Sequence, residues 1–243
     1  MTMLLAFLAA LAQPSADTRF VTSADGTRIA YDVRGSGPVV LLLHGGGQTR
    51  QVWHKAGYVE RLAKEFTVVT VDIRGNGDSD KPSAVEAYHF ERIHADILAV
   101  ADAVKAPRFT LWGFSYGANV GRYLASRSDR VDAMVYIGIP FGAAVGGRFL
   151  DAVKQMPNRP AWITAMLSYS AVEPADMRCP TLWLVGSANV GAMESVAEYR
   201  DRLKGTRVTL EVVDGLNHPQ ELEAIDRVLP RELAFTKAHA APR

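Results

Sequence analysis

Short apolar runs rich in β-branched residues alternate along the chain with stretches in which apolar residues recur every three or four positions. The first two runs are separated by the turn residues Asp25-Gly26, so we expect them to pair antiparallel. The later runs are almost continuously apolar, which is typical of strands covered on both faces. The runs predict eight strands, at Phe20–Ser23, Arg28–Val33, Val39–Leu43, Thr67–Val71, Phe109–Trp112, Ala133–Ile137, Thr181–Val185 and Val208–Val213.

Helical spacing of apolar residues fills the gaps between the predicted strands, over about 90–104, 118–124 and 193–203. Pro219 is expected to begin a last helical stretch, and Pro230 to restart it at a first-turn position. This alternation predicts an α/β fold, with a mostly parallel sheet and helices on both faces, in one domain.

One segment interrupts this rhythm. About 40 residues, from Ile139 to Pro180, separate the sixth predicted strand from the seventh, which is more than a crossover helix needs. Insertions at the carboxyl ends of parallel strands usually shape ligand clefts. We therefore interpret residues 139–178 as a small helical cap over a site. The alternative is an enlarged crossover that only covers the sheet.

The first sixteen residues differ from the rest. Leu4–Ala12 is apolar throughout, too short to span a bilayer and suited to a secretory signal peptide. Cleavage could follow Ala12 or Ala16, although no Lys or Arg precedes the apolar run. We expect residues 1–16 to be a signal peptide and residues 17–243 a periplasmic or secreted domain with no integral membrane span. If the segment is instead a docked helix, the protein is cytoplasmic.

Composition narrows the range of partners. The chain has 243 residues, with 27 Lys and Arg against 26 Asp and Glu, so no overall field favours nucleic acid. The single cysteine, Cys179, excludes an intramolecular disulfide and is best explained as a buried core thiol. The histidine spacing fits no metal motif. We expect a small-molecule substrate, without metal or cofactor; the sequence gives no indication of oligomeric state.

A candidate nucleophile follows the fifth predicted strand, in the segment Gly113-Phe114-Ser115-Tyr116-Gly117. A serine between a strand and a helix must turn sharply, and the flanking glycines let the backbones approach closely. About 0.08 chance matches to this pattern are expected in a chain of this composition. The spacing therefore predicts that Ser115 projects above the sheet as a nucleophile. The alternative is a structural serine in a glycine-rich turn.

Candidate oxyanion donors lie in His44-Gly45-Gly46-Gly47, after the third predicted strand. A glycine run at a strand end lets a backbone N–H point into a cleft, and a helix N-terminus favours negative charge. We predict that the N–H groups of Gly46 and Tyr116 form an oxyanion hole. His44 itself is interpreted as a hydrogen-bonded structural residue.

With these motifs the sequence resembles the α/β-hydrolase fold superfamily, in particular its small serine hydrolases and esterases, from about Arg19 to the C-terminus. The resemblance implies an eight-stranded, mostly parallel sheet with a short helical cap. It also implies that Arg74, Gly75 and Asp78 have structural roles. The segments that carry it are Leu42-Leu43-His44-Gly45-Gly46-Gly47, Asp72-Ile73-Arg74-Gly75-Asn76-Gly77-Asp78-Ser79, Gly113-Phe114-Ser115-Tyr116-Gly117 and Gly215-Leu216-Asn217-His218.

The resemblance also assigns the general base. It puts the catalytic histidine at His218, in the turn after the last predicted strand, and the order serine, acid, histidine fits. The alternative is a core or loop histidine. The superfamily's acid, usually in a turn of the form Gly-x-x-Asp after the seventh strand, is replaced by Asn189 in Gly186-Ser187-Ala188-Asn189.

Three interpretations of Asn189 stay open. The amide could orient His218 in a weakened or specialised triad, as in Cys-His-Asn proteases. A carboxylate elsewhere, such as Asp151, Glu194 or Asp214, could reach His218 instead. In the third interpretation catalysis is lost and the pocket only binds a ligand.

The function expected from these features is hydrolysis of a small or medium, fairly apolar carboxylic ester through an acyl-enzyme on Ser115. Resembling epoxide hydrolases and haloalkane dehalogenases use Asp at the elbow, so Ser115 argues against their chemistry. The alternatives are carbon–carbon bond hydrolysis or cofactor-free peroxidation on the same fold, and a catalytically silent binding protein.

Overall fold

One eight-stranded sheet organises the computed structural model, which describes residues 18–240 except for the side chains of residues 147–149. The strand order is β1-β2-β4-β3-β5-β6-β7-β8. β1 pairs antiparallel with β2, and β2 with β4, whereas all later pairs are parallel. The strands are β1 Arg19–Thr22, β2 Arg28–Arg34, β3 Val39–Leu43, β4 Thr67–Val71, β5 Phe109–Phe114, β6 Val131–Ile137, β7 Thr181–Gly186 and β8 Val208–Val213.

Helices follow most of the parallel strands. Short 3₁₀ turns at Val85–Tyr88, Pro174–Asp176 and Arg200–Leu203 supplement them. None of the helices in residues 18–240 is long and apolar enough to cross a membrane. The helices are α1 Gln51–Lys55, α2 Tyr58–Leu62, α3 Phe90–Ala103, α4 Tyr116–Ala125, α5 Gly147–Gln155, α6 Ala161–Met166, α7 Val190–Tyr199, α8 Gln220–Glu223 and α9 Ile225–His239.

The sheet buries an apolar cluster on each face, because successive side chains of a strand point to opposite sides. In β5, Leu111 belongs to the cluster under α3, α4 and α7, whereas Trp112 belongs to the cluster under α1, α2 and α9. Both side chains are fully buried. The near-continuous apolar strands predicted from the sequence are therefore explained by helices on both faces.

The carboxyl ends of the parallel strands meet at one edge of the sheet. Leu43 of β3 is in register with Gly113 of β5, and Gly186 of β7 with Val213 of β8. Gly46, Ser115, Asn189 and His218 lie in the loops after these four strands, and Tyr116 is the first residue of α4.

The predicted eight strands and the antiparallel first pair are confirmed, and one expectation changes. Pro230 does not restart a helix: it lies inside α9, which begins at Ile225 after a break at Ala224 (φ −80°, ψ 52°). The insertion between β6 and β7 is helical, with α5 and α6. The predicted signal peptide lies outside the described residues.

Ion pairs hold the turn after β4. The Arg74 guanidinium is fully buried and pairs with Asp25 at 2.8 Å and with Asp96 at 2.5 Å. Asp78 pairs with Arg50 at 2.8 Å. These contacts agree with the structural roles expected for Arg74 and Asp78. Cys179 is 3% exposed, and burial raises the pKa of its thiol to about 11, as expected for a core cysteine.

Candidate active site

Ser115 sits on a sharp turn between β5 and α4. Its backbone is in an unusual conformation, with φ 53° and ψ −114°, which non-glycine residues adopt at a cost of about 1–3 kcal/mol. A Cβ at Gly113 would lie 2.5 Å from the backbone of Ala118, and one at Gly117 would lie 2.2 Å from the Leu43 carbonyl oxygen. The two glycines are therefore required for the turn that exposes Ser115.

The Ser115 hydroxyl is hydrogen-bonded to His218, with 3.0 Å between Oγ and Nε2. His218 follows β8 and precedes α8, so the end of the sheet brings it to the serine across 103 residues of chain. Its ring stacks on that of Phe114, with centroids 4.9 Å apart and planes at 21°. The geometry is that of a nucleophile with its general base.

The other imidazole nitrogen meets Glu221. Nδ1 of His218 lies 2.9 Å from Glu221 Oε2, and the Glu221 side chain is completely buried. Because a carboxylate only accepts, this contact fixes the tautomer with the proton on Nδ1 and leaves Nε2 free to accept from Ser115. Glu221 was not among the residues predicted from the sequence.

Asn189 contacts the carboxylate rather than orienting the imidazole, which revises the first interpretation of this residue. Its Nδ2 lies 2.9 Å and 3.0 Å from the two Glu221 oxygens and donates to the Gly138 carbonyl at 2.9 Å. Nδ2 is also 3.4 Å from His218 Nδ1, but both groups are donors in this arrangement, so no bond can join them.

The three carboxylates considered from the sequence lie elsewhere. Asp214 accepts a hydrogen bond from the Ser187 hydroxyl at 2.9 Å. Asp151 and Glu194 are exposed. In the described part of the chain, Glu221 is the carboxylate that forms a hydrogen bond with His218.

The two residues predicted to supply the oxyanion donors both lie beside one indole ring. Tyr116 is the first residue of α4, and its ring centroid is 4.6 Å from that of Trp162 in α6. A Cβ at Gly46 would lie 2.5 Å from Trp162, so the indole lies directly on this glycine. The β6–β7 insertion thus reaches the carboxyl edge of the sheet beside Ser115.

His44 supports the loop that contains Gly46. The His44 ring is fully buried, Nδ1 donates to the Gly45 carbonyl at 2.7 Å, and Nε2 accepts from the Ile73 N–H at 3.1 Å. Burial lowers the pKa of His44. Both nitrogens are occupied by backbone groups, so this histidine is structural, as expected.

A cleft of about 540 Å³ is lined in part by Trp162. Its walls are the loop after β3, the turn after β4 with Tyr88, and the start of α6. Lys81 is the charged residue in its lining, and its Nζ donates to the Gly77 carbonyl at 2.5 Å and the Ser79 carbonyl at 3.2 Å. Trp162 therefore borders both this cleft and Gly46 of the oxyanion loop.

Known proteins resemble the chain in both sequence and structure. A soluble epoxide hydrolase from Corynebacterium sp. (strain C12) is 29% identical over 184 residues, 72% of this chain and 63% of the relative. A fluoroacetate dehalogenase from Burkholderia sp. is 34% identical over 126 residues, 51% of this chain and 40% of the relative. The chain thus spans less than two thirds of the length of each of these relatives.

Solved structures match over nearly their whole length. Epoxide hydrolase A from Mycobacterium thermoresistibile superimposes with a TM-score of 0.76 at 17% identity, covering 93% of this chain and 99% of that one. A hydrolase from Pseudomonas aeruginosa PA01 gives 0.74 at 21%, covering 91% and 99%. A family model of the alpha/beta hydrolase fold matches residues 38–178. The chain therefore belongs to the α/β-hydrolase fold family.

Proposed function

We propose that the protein is a serine hydrolase that cleaves small or medium, fairly apolar carboxylic esters through an acyl-enzyme on Ser115. The observation that carries this proposal is the continuous hydrogen-bonded chain from Ser115 Oγ through His218 to Glu221, with contacts of 3.0 Å and 2.9 Å. A serine, a histidine base and a buried carboxylate in this order are the parts that acyl transfer needs.

In the first half-reaction His218 Nε2 takes the Ser115 proton while Oγ attacks the ester carbonyl carbon. The charge that develops on the carbonyl oxygen is held by the N–H groups of Gly46 and Tyr116. The bond to the alcohol oxygen then breaks, and His218 returns its proton to the leaving alcohol. Glu221 accepts the Nδ1–H throughout and stabilises the imidazolium.

In the second half-reaction water attacks the acyl-Ser115 carbonyl and gives a proton to His218. The tetrahedral intermediate collapses, the carboxylic acid leaves, and Ser115 recovers its proton from His218. No metal or cofactor is required for either half.

Relatives named as epoxide hydrolases and a dehalogenase raise the question of substrate class. A serine oxygen that opened an epoxide or displaced a halide would form an alkyl ether, which has no carbonyl for water to attack. Ester cleavage leaves an acyl-serine that water can hydrolyse. The serine at position 115 therefore favours esters over the substrates in the relatives' names. The contact of the buried Glu221 with His218 also favours a working triad over the silent binding protein considered because of Asn189.

The test is hydrolysis of p-nitrophenyl acetate and butyrate by the protein and by Ser115→Ala. We expect the variant to lose at least about 10³-fold in kcat, because the nucleophile is absent. Ser36→Ala, an exposed serine in the turn before β3, is the matched control and should retain full activity. Full turnover by Ser115→Ala would overturn the proposal, as would failure of the parent protein to react with a fluorophosphonate at Ser115.

A further inference from the structure

The buried carboxylate of Glu221 is not paired with a lysine or an arginine in the described part of the chain. Within residues 18–240, its one ion-pair partner is His218, and neither Lys nor Arg pairs with it. A buried carboxylate is costly unless hydrogen bonds replace its lost hydration. The groups that can do this here are the Gly186 N–H, 2.6 Å from Oε1, and the Asn189 amide.

We propose that Asn189 is a positioning residue, whose side-chain amide holds the Glu221 carboxylate charged and aligned with His218 Nδ1. The inference rests on the proposed function, since it concerns how the same site orients its base. The amide donates a hydrogen bond to the Glu221 carboxylate, which an ionised acid at this position could not do.

The orientation of the Asn189 amide is fixed at both ends. Oδ1 accepts from the Ala192 N–H at 3.3 Å and so caps the start of α7, while Nδ2 donates to the Gly138 carbonyl at 2.9 Å. The reverse orientation would turn Oδ1 toward the Gly138 carbonyl and the Glu221 oxygens, and Nδ2 toward the Ala192 N–H. Only the observed orientation satisfies every group, and it aims the donor at Glu221.

The backbone around the pair leaves space for this close approach. Gly138 has φ 83°, and a Cβ there would lie 2.5 Å from Glu221 Oε2 and 2.9 Å from the His218 ring. Glycine at this position therefore lets the carboxylate and the imidazole meet. The loops at the ends of the strands thus place one carbonyl, one N–H and one amide around the Glu221–His218 pair.

Two substitutions separate this role from simple helix capping. Asn189→Ser and Asn189→Asp both retain an oxygen that can cap α7, since Ser and Asp are good N-cap residues. Serine removes the amide donor, and aspartate replaces it with a second carboxylate about 3 Å from Glu221. If Asn189 were only a cap, both variants would behave like the parent protein. If the position served as the acid, Asn189→Asp would increase kcat.

The experiment measures kcat and KM for p-nitrophenyl butyrate with each variant in the parent and in the Glu221→Gln background. We expect Asn189→Ser to lower kcat about 10-fold with KM within twofold, but by less than about 3-fold once Glu221 is Gln, because no carboxylate remains to be held. We expect Asn189→Asp to lower kcat in the parent at least as much as Asn189→Ser does, and to raise kcat in the Glu221→Gln background. Equal losses in both backgrounds would overturn the proposal, as would an increase with Asn189→Asp alone.

A second readout does not depend on ester cleavage. The Nδ1 proton of His218 should give a low-field proton NMR signal that is absent in His218→Gln. We expect Asn189→Ser to move this signal upfield, because the acceptor is no longer held in line. An unchanged signal would contradict the role of Asn189 even if Ser115 proved to have no esterase activity, so the two proposals can fail separately.

Discussion

At the residue scale, the His218 ring is constrained on three sides. Nε2 contacts Ser115 at 3.0 Å, Nδ1 contacts Glu221 at 2.9 Å, and one face stacks on Phe114. A neutral imidazole needs an acceptor at Nδ1 to present a lone pair at Nε2. In the proposed mechanism, the charge of Glu221 further stabilises the imidazolium that forms when Ser115 is deprotonated.

Replacing Glu221 by Gln should therefore lower kcat with little change in KM. We expect a loss of about 10³–10⁴-fold, since the loss of the corresponding carboxylate in other triads is of this order. Glu223→Gln is the matched control, because it makes the same charge change in the same short helix at an exposed position. Steady-state kinetics with p-nitrophenyl butyrate measure both variants. Equal activity of the two would show that Glu221 does not serve the base.

Ser115 could be predicted because it lies in a glycine-rich turn directly after an apolar strand, and His218 because the family resemblance places the base in the turn after the last strand. Glu221 could not, for a physical reason. It reaches His218 only because α8 begins at Gln220 and turns the carboxylate back under the ring, and a four-residue helix has too little periodicity to reveal which way a side chain points. Asn189 was identified as unusual, but its donor role depends on that same turn.

At the element scale, α6 is the part of the insertion that reaches the active site. Trp162 lies on Gly46 and beside Tyr116, and it also lines the cleft of about 540 Å³. The length of the insertion indicated a cap, and its helices are present. That a particular indole would lie over the oxyanion loop depends on tertiary packing, which no local pattern in the chain encodes.

We expect Trp162→Ala to join the cleft to the space above Ser115 and so to favour longer acyl chains. The ratio of kcat/KM for p-nitrophenyl octanoate to that for the acetate should rise roughly tenfold, the gain expected from burying about two more methylene groups at about 0.8 kcal/mol each. Leu167→Ala, at the exposed end of the same helix, should leave the ratio unchanged. An equal change in kcat/KM for esters of all acyl chain lengths would mean that Trp162 does not limit the acyl site.

At the scale of the whole molecule, the sheet and its two apolar faces followed from the alternation of strands and helices. The burial of ionisable residues could not be predicted in this way, because a polar residue within a helix looks the same in the sequence whether it faces the core or the solvent. Glu232 in α9 is completely buried beside Tyr58, and burial raises its pKa to about 8 from a model-peptide value of 4.5. Among the described residues, no Lys or Arg pairs with it.

This buried acid predicts a loss of stability with rising pH. Between about pH 4.5 and 8 the folded state keeps a proton on Glu232 that the unfolded state has released, so the free energy of unfolding falls across this window. Glu232→Gln should flatten the dependence by up to about 4 kcal/mol between pH 5 and pH 9, at roughly 1.4 kcal/mol per pH unit. Urea unfolding at pH 5 and pH 9 measures it, with Glu223→Gln as the exposed control. The same pH dependence of the free energy of unfolding in the parent and in Glu232→Gln would contradict this prediction.

The central claim is that Ser115 carries the acyl group during turnover. It is tested most directly by mixing the protein with p-nitrophenyl butyrate, quenching in acid within the first turnovers, and locating the butyryl group by peptide mass spectrometry. We expect a burst of p-nitrophenolate and one butyryl group on the peptide that contains Ser115, absent in Ser115→Ala. Turnover with the butyryl group on another residue, or undiminished turnover in Ser115→Ala, would contradict it.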